Sequence, residues 1–143
     1  MNVKQISVFL ENKPGRLTGL TRALSEAGIN IRALSLADTT DFGIMRLIVD
    51  RPEEALKALQ GRGYSVAETD VLAVEIPDRP GGLAHAAETI SAAGINIEYM
   101  YAFVEKKGGN AVVVFRVDDL EATAGALAAA GIPVLPPKDV YNL

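Results

Sequence analysis

One phrase occurs twice in the chain, and it limits what the chain can fold into. Pro14-Gly15-Arg16-Leu17 leads after ten residues into Gly28-Ile29-Asn30-Ile31, and Pro80-Gly81-Gly82-Leu83 leads after the same interval into Gly94-Ile95-Asn96-Ile97. Every matching pair is 66 residues apart, and nine of the eighteen positions from Pro14 to Ile31 equal their counterparts from Pro80 to Ile97. Such self-similarity is an internal duplication, so two copies of one small unit are expected, at 1–70 and 71–143.

The pattern around each phrase gives the order of elements. Ile6, Val8 and Leu10 alternate on one face of a strand, as do Leu72, Val74 and Ile76 at the same offset. Pro14 is expected as the first helical residue, where its missing N–H has no partner to lose. Leu17, Leu20, Thr21, Leu24 and Ala27 then recur with helical spacing until Gly28 stops the helix; Leu83, Ala86, Ala87, Ile90 and Ala93 repeat this before Gly94. A hairpin follows, with strands from Asn30 to Ala37 and from Gly43 to Val49 about a turn at 38–42. In the second copy it runs from Asn96 to Val117 about residues 106–110. Second helices carry Ala55, Leu56 and Leu59, or Leu120, Ala124 and Leu127, on their inner faces. Short strands at Gly63-Tyr64-Ser65-Val66 and Gly131-Ile132-Pro133-Val134 close the units.

Strand, helix, strand, strand, helix, strand with right-handed crossovers predicts an α+β fold: two ferredoxin-like βαββαβ units in tandem. Each would hold an antiparallel four-stranded sheet with both helices on one face. The third strands, Ile44 to Val49 and Val112 to Phe115, offer no polar side for the other face. That face needs a cover, from a second protomer or from a sheet shared by both units, and a homodimer is expected.

Composition excludes several classes of function. Residues 1–70 carry nine basic and nine acidic side chains and residues 71–143 carry five and nine. Neither half has a basic stripe, so no nucleic-acid or anionic-membrane partner is expected. No apolar run approaches the roughly 20 residues of a bilayer span. Met1-Asn2-Val3-Lys4 has no signal-peptide profile, which points to a cytoplasmic protein. Without cysteine there is no disulfide framework or thiolate metal site, and no cofactor is expected. The lone His85 falls between apolar helical positions and reads as a surface residue. Catalysis needs positioned acids, bases or nucleophiles, in which the chain is poor, so no enzyme is expected.

Asn12-Lys13-Pro14-Gly15-Arg16-Leu17 after a strand, a helix ending at Gly28, and a strand opening with Asn30-Ile31 resemble the ACT domain. Asp78-Arg79-Pro80-Gly81-Gly82-Leu83 with Gly94-Ile95-Asn96-Ile97 resembles it equally, and the likeness covers about residues 2–135. It implies paired units that bind amino acids or similar small metabolites and regulate enzymes of amino-acid metabolism. It also implies a ligand held between the Pro-Gly loop of one unit and the second strand of a neighbour. The ligand-binding residues carried over are Asn12, Pro14, Gly15, Arg16, Leu17, Asn30 and Ile31, and in the second copy Asp78, Pro80, Gly81, Gly82, Leu83, Asn96 and Ile97.

Physical chemistry points to the same loop. The first turn of a helix leaves N–H groups unpaired and carries partial positive charge, which suits a carboxylate. Gly15 lets a ligand approach the backbone, and Asn12 and Asn30 supply donors and acceptors. Asn12 and Asp78 serve equally as turn residues, and Asn30 and Asn96 as residues that tolerate an unusual backbone angle. The copies differ around this scaffold. Asn12, Lys13, Arg16 and Arg32 favour an anion, whereas Asp78, Arg79, Gly82 and Glu98 suggest a roomier, more acidic loop. Tyr99, Tyr101 and Phe103 alternate, as the lining of a pocket or, more often for such a stripe, as core or interface packing, and the tail from Pro136 to Leu143 is apolar enough to dock. Two other readings stand beside the ligand-binding one. One is a detached regulatory subunit working by contact with a partner enzyme; the other is an acylphosphatase-like hydrolase, which Arg16 with Asn30 faintly resembles.

Overall fold

The computed structural model describes residues 2–38, 41–105 and 107–143, with Asp38 through its backbone only. The middle of the turn expected at 38–42 and Lys106 of the second turn lie outside the described residues. Elements follow in the order β1 (Val3–Glu11), α1 (Arg16–Glu26), β2 (Ile31–Asp38), β3 (Phe42–Val49), α2 (Pro52–Gly61), β4 (Ser65–Pro77), α3 (Gly82–Ala92), β5 (Ile97–Ala102), β6 (Asn110–Val117), α4 (Leu120–Ala129) and α5 (Pro137–Tyr141). They form two compact units, Lys4–Thr69 and Asp70–Leu143, the second of which also includes Asn2 and Val3.

In the first unit β3 pairs antiparallel with β1 and with β2, setting Ile6 opposite Leu47, Val8 opposite Met45 and Leu34 opposite Leu47. Directly opposed residues share a face. Ile6, Val8, Leu10, Met45, Leu47 and Val49 therefore line one side, where Leu20, Ala23 and Leu24 of α1 and Ala55 and Leu59 of α2 pack on them. The period of 2 in the strands and 3.6 in the helices delivers those residues to one core. In the second unit β6 pairs antiparallel with β4 and β5, and Leu72, Val74, Ile76, Val113, Phe115 and Val117 meet Ala86, Ile90 and Leu127.

Two expectations need correction. The closing strand of the first unit is continuous with the opening strand of the second, because residues 67–71 contain no glycine or proline to break it. The closing strand of the second unit shrinks to one bridge, Val134 to Val74, flanked by Glu75 N donating to Pro133 O and Leu135 N to Ala73 O. Pro133 has no N–H to extend that ladder. Ala33, Ile48, Ala73 and Val114 are fully buried, as is Gln5, whose Nε2 donates to Ser7 Oγ at 3.3 Å. The C-terminal tail packs as expected, with Val140 of α5 fully buried. No described helix is long and apolar enough to cross a membrane.

Candidate functional site

The repeated Pro-Gly pair is a turn before it is a helix start. Arg16 N donates to Lys13 O at 3.3 Å across Pro14 and Gly15, and Gly15 has φ 88° and ψ −13°. These are the features of a type II turn, with proline at the second position and a left-handed third residue that favours glycine. Gly82 N donates to Arg79 O at 3.0 Å across Pro80 and Gly81, whose φ is 87°. Pro14 is thus not the first helical residue: Gly15 caps α1, which begins at Arg16. No side chain caps α1 or α3, whereas Asp119 Oδ1 accepts from Ala122 N at the start of α4. The first turn of α1 keeps the donors that suit an anion.

Beside that helix start the end of β1 places Glu11 between two cations. Lys13 Nζ lies 2.9 Å from Oε2 and Arg16 Nη2 lies 3.3 Å from Oε1. The hydrogen bond from Lys13, then its charge and that of Arg16, hold the Glu11 carboxyl below the usual range. All three are exposed to solvent, so the pairs add little to stability. Next to them opens a cavity of about 230 Å³ lined by Leu10, Glu11, Asn12, Lys13, Arg16, Leu17, Leu36 and Gly43. Its far wall comes from the hairpin, where β3 sets Gly43 opposite Leu10 and Met45 opposite Leu36. Leu17 and Leu36 remain 42% and 50% exposed. A Cβ built on Gly15 meets nothing within 4 Å, so backbone approach there is open.

Of the residues singled out in copy one, the structure brings Asn12, Arg16 and Leu17 to this cavity, with Pro14 and Gly15 forming the turn beside it. It places Asn30 and Ile31 elsewhere, beyond the C-terminal end of α1. There, with Gly28 and Ile29, they line a separate shallow cavity of about 360 Å³. Asn30 takes no unusual angle, since no described residue other than glycine has positive φ. Its N–H donates to Asp50 Oδ1 at 3.0 Å while Asp50 N donates to Asn30 O at 3.1 Å. Arg16 and Asn30 stand at opposite ends of an eleven-residue helix, roughly 16 Å of helical rise. They cannot converge on one phosphoryl group, which removes the basis of the hydrolase reading. Glu11, Leu36 and Gly43 escaped the sequence as site residues. The hairpin register was the signal for the last two.

Copy two repeats the turn with other residues around it. Pro77 stands where copy one has Glu11, and Gly82 where it has Arg16. Gly82 does not make the loop roomier: a Cβ there would lie 2.1 Å from Pro77 O and 3.1 Å from Ile76 Cγ2. Glycine lets α3 begin against the end of β4, at the position where copy one carries Arg16. Asp78, Pro80, Gly81 and Leu83 of this turn and helix start are exposed, and Asn96 and Ile97 follow the far end of α3. Glu98 is tied to Arg116 at 3.0 Å, and Arg116 Nη1 also donates to Asp70 O at 2.8 Å, a structural bracket. His85 is exposed, as its position implied. Among the described residues no group of three or more His, Asp or Glu could hold a metal ion.

Comparison with known proteins agrees with this architecture. A family model described as ACT domain pair matches residues 1–141. Protein BT0572 from Bacteroides thetaiotaomicron is 41% identical, with a TM-score of 0.94 over 100% of this chain and 98% of that one. The regulatory subunit of aspartate kinase from Thermus thermophilus superposes with a TM-score of 0.68 at 22% identity, over 91% of this chain and 93% of its own. That from Thermus flavus gives 0.63 at 19% identity, over 92% and 94%. A search of the curated proteins found no match. With two βαββ-built units on a duplicated Pro-Gly turn and a family model spanning nearly its whole length, the chain belongs to the ACT domain pair family.

Proposed function

We propose that this protein binds an amino acid or a similarly small metabolite and regulates amino-acid metabolism, with no chemistry of its own. The observation that carries the reading is the copy-one cavity, where an uncapped helix start and Arg16, Lys13 and Glu11 border one small opening between apolar walls. At about 230 Å³ it lies below the roughly 300–1,000 Å³ of sites for drug-sized ligands. A carboxylate at the first turn of α1 would gain N–H groups and the Arg16 guanidinium together. The Thermus proteins are regulatory subunits of aspartate kinase, and only the regulatory class is carried over here; an enzyme partner belongs to this reading.

A cytoplasmic homodimer belongs to it as well. Leu34 and Leu36 of β2, at the edge of its sheet, are 42% and 50% exposed, and a second copy would cover them. A thermal-shift screen of the twenty amino acids tests the ligand, since one that binds only the folded form raises the melting point. The expected result is a rise for at least one amino acid that Arg16→Ala removes. No rise and no heat of binding for any of them would overturn the proposal.

A further inference from the structure

The side chains around the copy-one cavity carry both signs of charge and an apolar wall. Glu11, Lys13 and Arg16 already meet, yet none is saturated. A carboxylate has about four lone-pair sites, a guanidinium five N–H donors and an ammonium three. Two contacts to Glu11 leave acceptors on its oxygens, and one contact each leaves donors on Lys13 and Arg16. A simple anion that reached the cations would lie beside the Glu11 carboxylate and be repelled by it. A zwitterion would not, because its ammonium meets that carboxylate while its own carboxylate meets Arg16, Lys13 and the first turn of α1. Opposite the charges, Leu10, Leu17 and Leu36 present hydrocarbon, with Leu17 and Leu36 still incompletely covered.

We propose that the copy-one cavity selects an aliphatic α-amino acid in its zwitterionic form, with Glu11 as the residue that separates the amino acid from its keto-acid analogue. The inference rests on the small-ligand reading above and narrows it. Copy two, with Pro77 at the position of Glu11 and Gly82 closed onto Pro77 O, has no counterpart to this selection.

Titration calorimetry on the full chain tests it with L-leucine, 4-methyl-2-oxopentanoate, L-serine and L-aspartate. Leucine is expected to bind about tenfold more tightly than the keto acid, the worth of one charge-assisted contact. Glu11→Gln removes the charge of an exposed side chain, keeps its shape, and is expected to bring that ratio down to about twofold. Leu36→Ser is expected to weaken leucine and leave any residual serine binding unchanged. A wild-type protein that binds the keto acid as tightly as leucine, or a Glu11→Gln variant with an unchanged ratio, would refute the role of Glu11. Binding of serine or aspartate in preference to leucine would sink the aliphatic assignment while the small-ligand reading stood. Silence from every amino acid would end both.

Discussion

Replacing Gly82 by alanine adds one methyl group at a point where the structure leaves no room for it. The new carbon would sit 2.1 Å from the carbonyl oxygen of Pro77 and 3.1 Å from Ile76 Cγ2. Carbon–oxygen contacts of this kind settle at about 3.3–3.6 Å, so the start of α3 or the end of β4 must move by more than an ångström. The obstructing atom is backbone and cannot rotate away. Gly82 is itself buried, and the neighbouring turn is fixed by Gly81 at φ 87°. Overpacking of this kind costs typically 1–3 kcal/mol, and we place Gly82→Ala at about 2–3. For a chain of this length, at about 3–4 °C per kcal/mol, the melting temperature should fall by roughly 6–12 °C. Gly125→Ala supplies the control, being the same added methyl in the middle of α4, exposed, with nothing within 4 Å. There the better helix propensity of alanine should stabilise by about 0.5–1 kcal/mol and raise the melting temperature by a few degrees. Differential scanning calorimetry of both variants decides the matter. If Gly82→Ala melts within about 2 °C of the parent, α3 does not close on Pro77 and the non-equivalence of the two loops loses its physical basis.

The same non-equivalence predicts one ligand per chain, and calorimetric titration returning two identical sites would contradict it. Arg51 reaches back to the end of α1, where its Nη2 donates to Gly28 O, and its Nη1 also meets Glu54 Oε2 at 2.5 Å. Arg51→Ala should cost about 1 kcal/mol in chemical denaturation, and no change in the midpoint would show that the last turn does not depend on it. Asp119→Ala removes the one side-chain cap seen on these helices and should cost about 0.5–2 kcal/mol, with Asp119→Asn recovering most of it. Glu11 and Glu26 should both titrate below the ordinary 4.5, Glu11 through Lys13 and then Arg16, and Glu26 through its hydrogen bond and charge pairing with Arg62. A folded-state value depressed in this way gives stability that is present above the unfolded value and lost as pH falls through the folded one. Carboxyl NMR titration should therefore show both midpoints below 4.5, with the Glu11 midpoint rising in Lys13→Ala; an unmoved midpoint would count against the pairing.

The elements were legible in the sequence because they obey local rules that the duplication states twice. Proline and glycine at fixed places make a type II turn, an apolar residue every three or four makes a buried helix face, and Gly28 and Gly94 end their helices at φ 71° and 75°. Where a local rule admitted two answers, the sequence was less informative. Pro14 suits both a first helical residue and the second residue of a turn, and the positive φ that Gly15 alone can adopt selects the turn. Leu17 and Leu83 keep the helical period but sit past the edge of the core, 42% and 44% exposed. Periodicity reports direction around a helix and says nothing of how far the sheet beneath it extends.

The site was only partly legible, for a reason of distance. Asn12, Arg16 and Leu17 lie within one turn of chain and stay together in the fold. Asn30 and Ile31 are carried away by the full length of α1, while Leu36 and Gly43 are brought in by the register of the hairpin. The sequence alone determined that two copies of one unit would fold behind a Pro-Gly turn, since that depends on backbone angles and spacing within about twenty residues. How tightly each helix start meets the preceding strand was decided only in three dimensions. Whether Arg16 faces a cavity, and whether Gly82 marks space or its absence, depends on how closely each helix packs on the strand end before it.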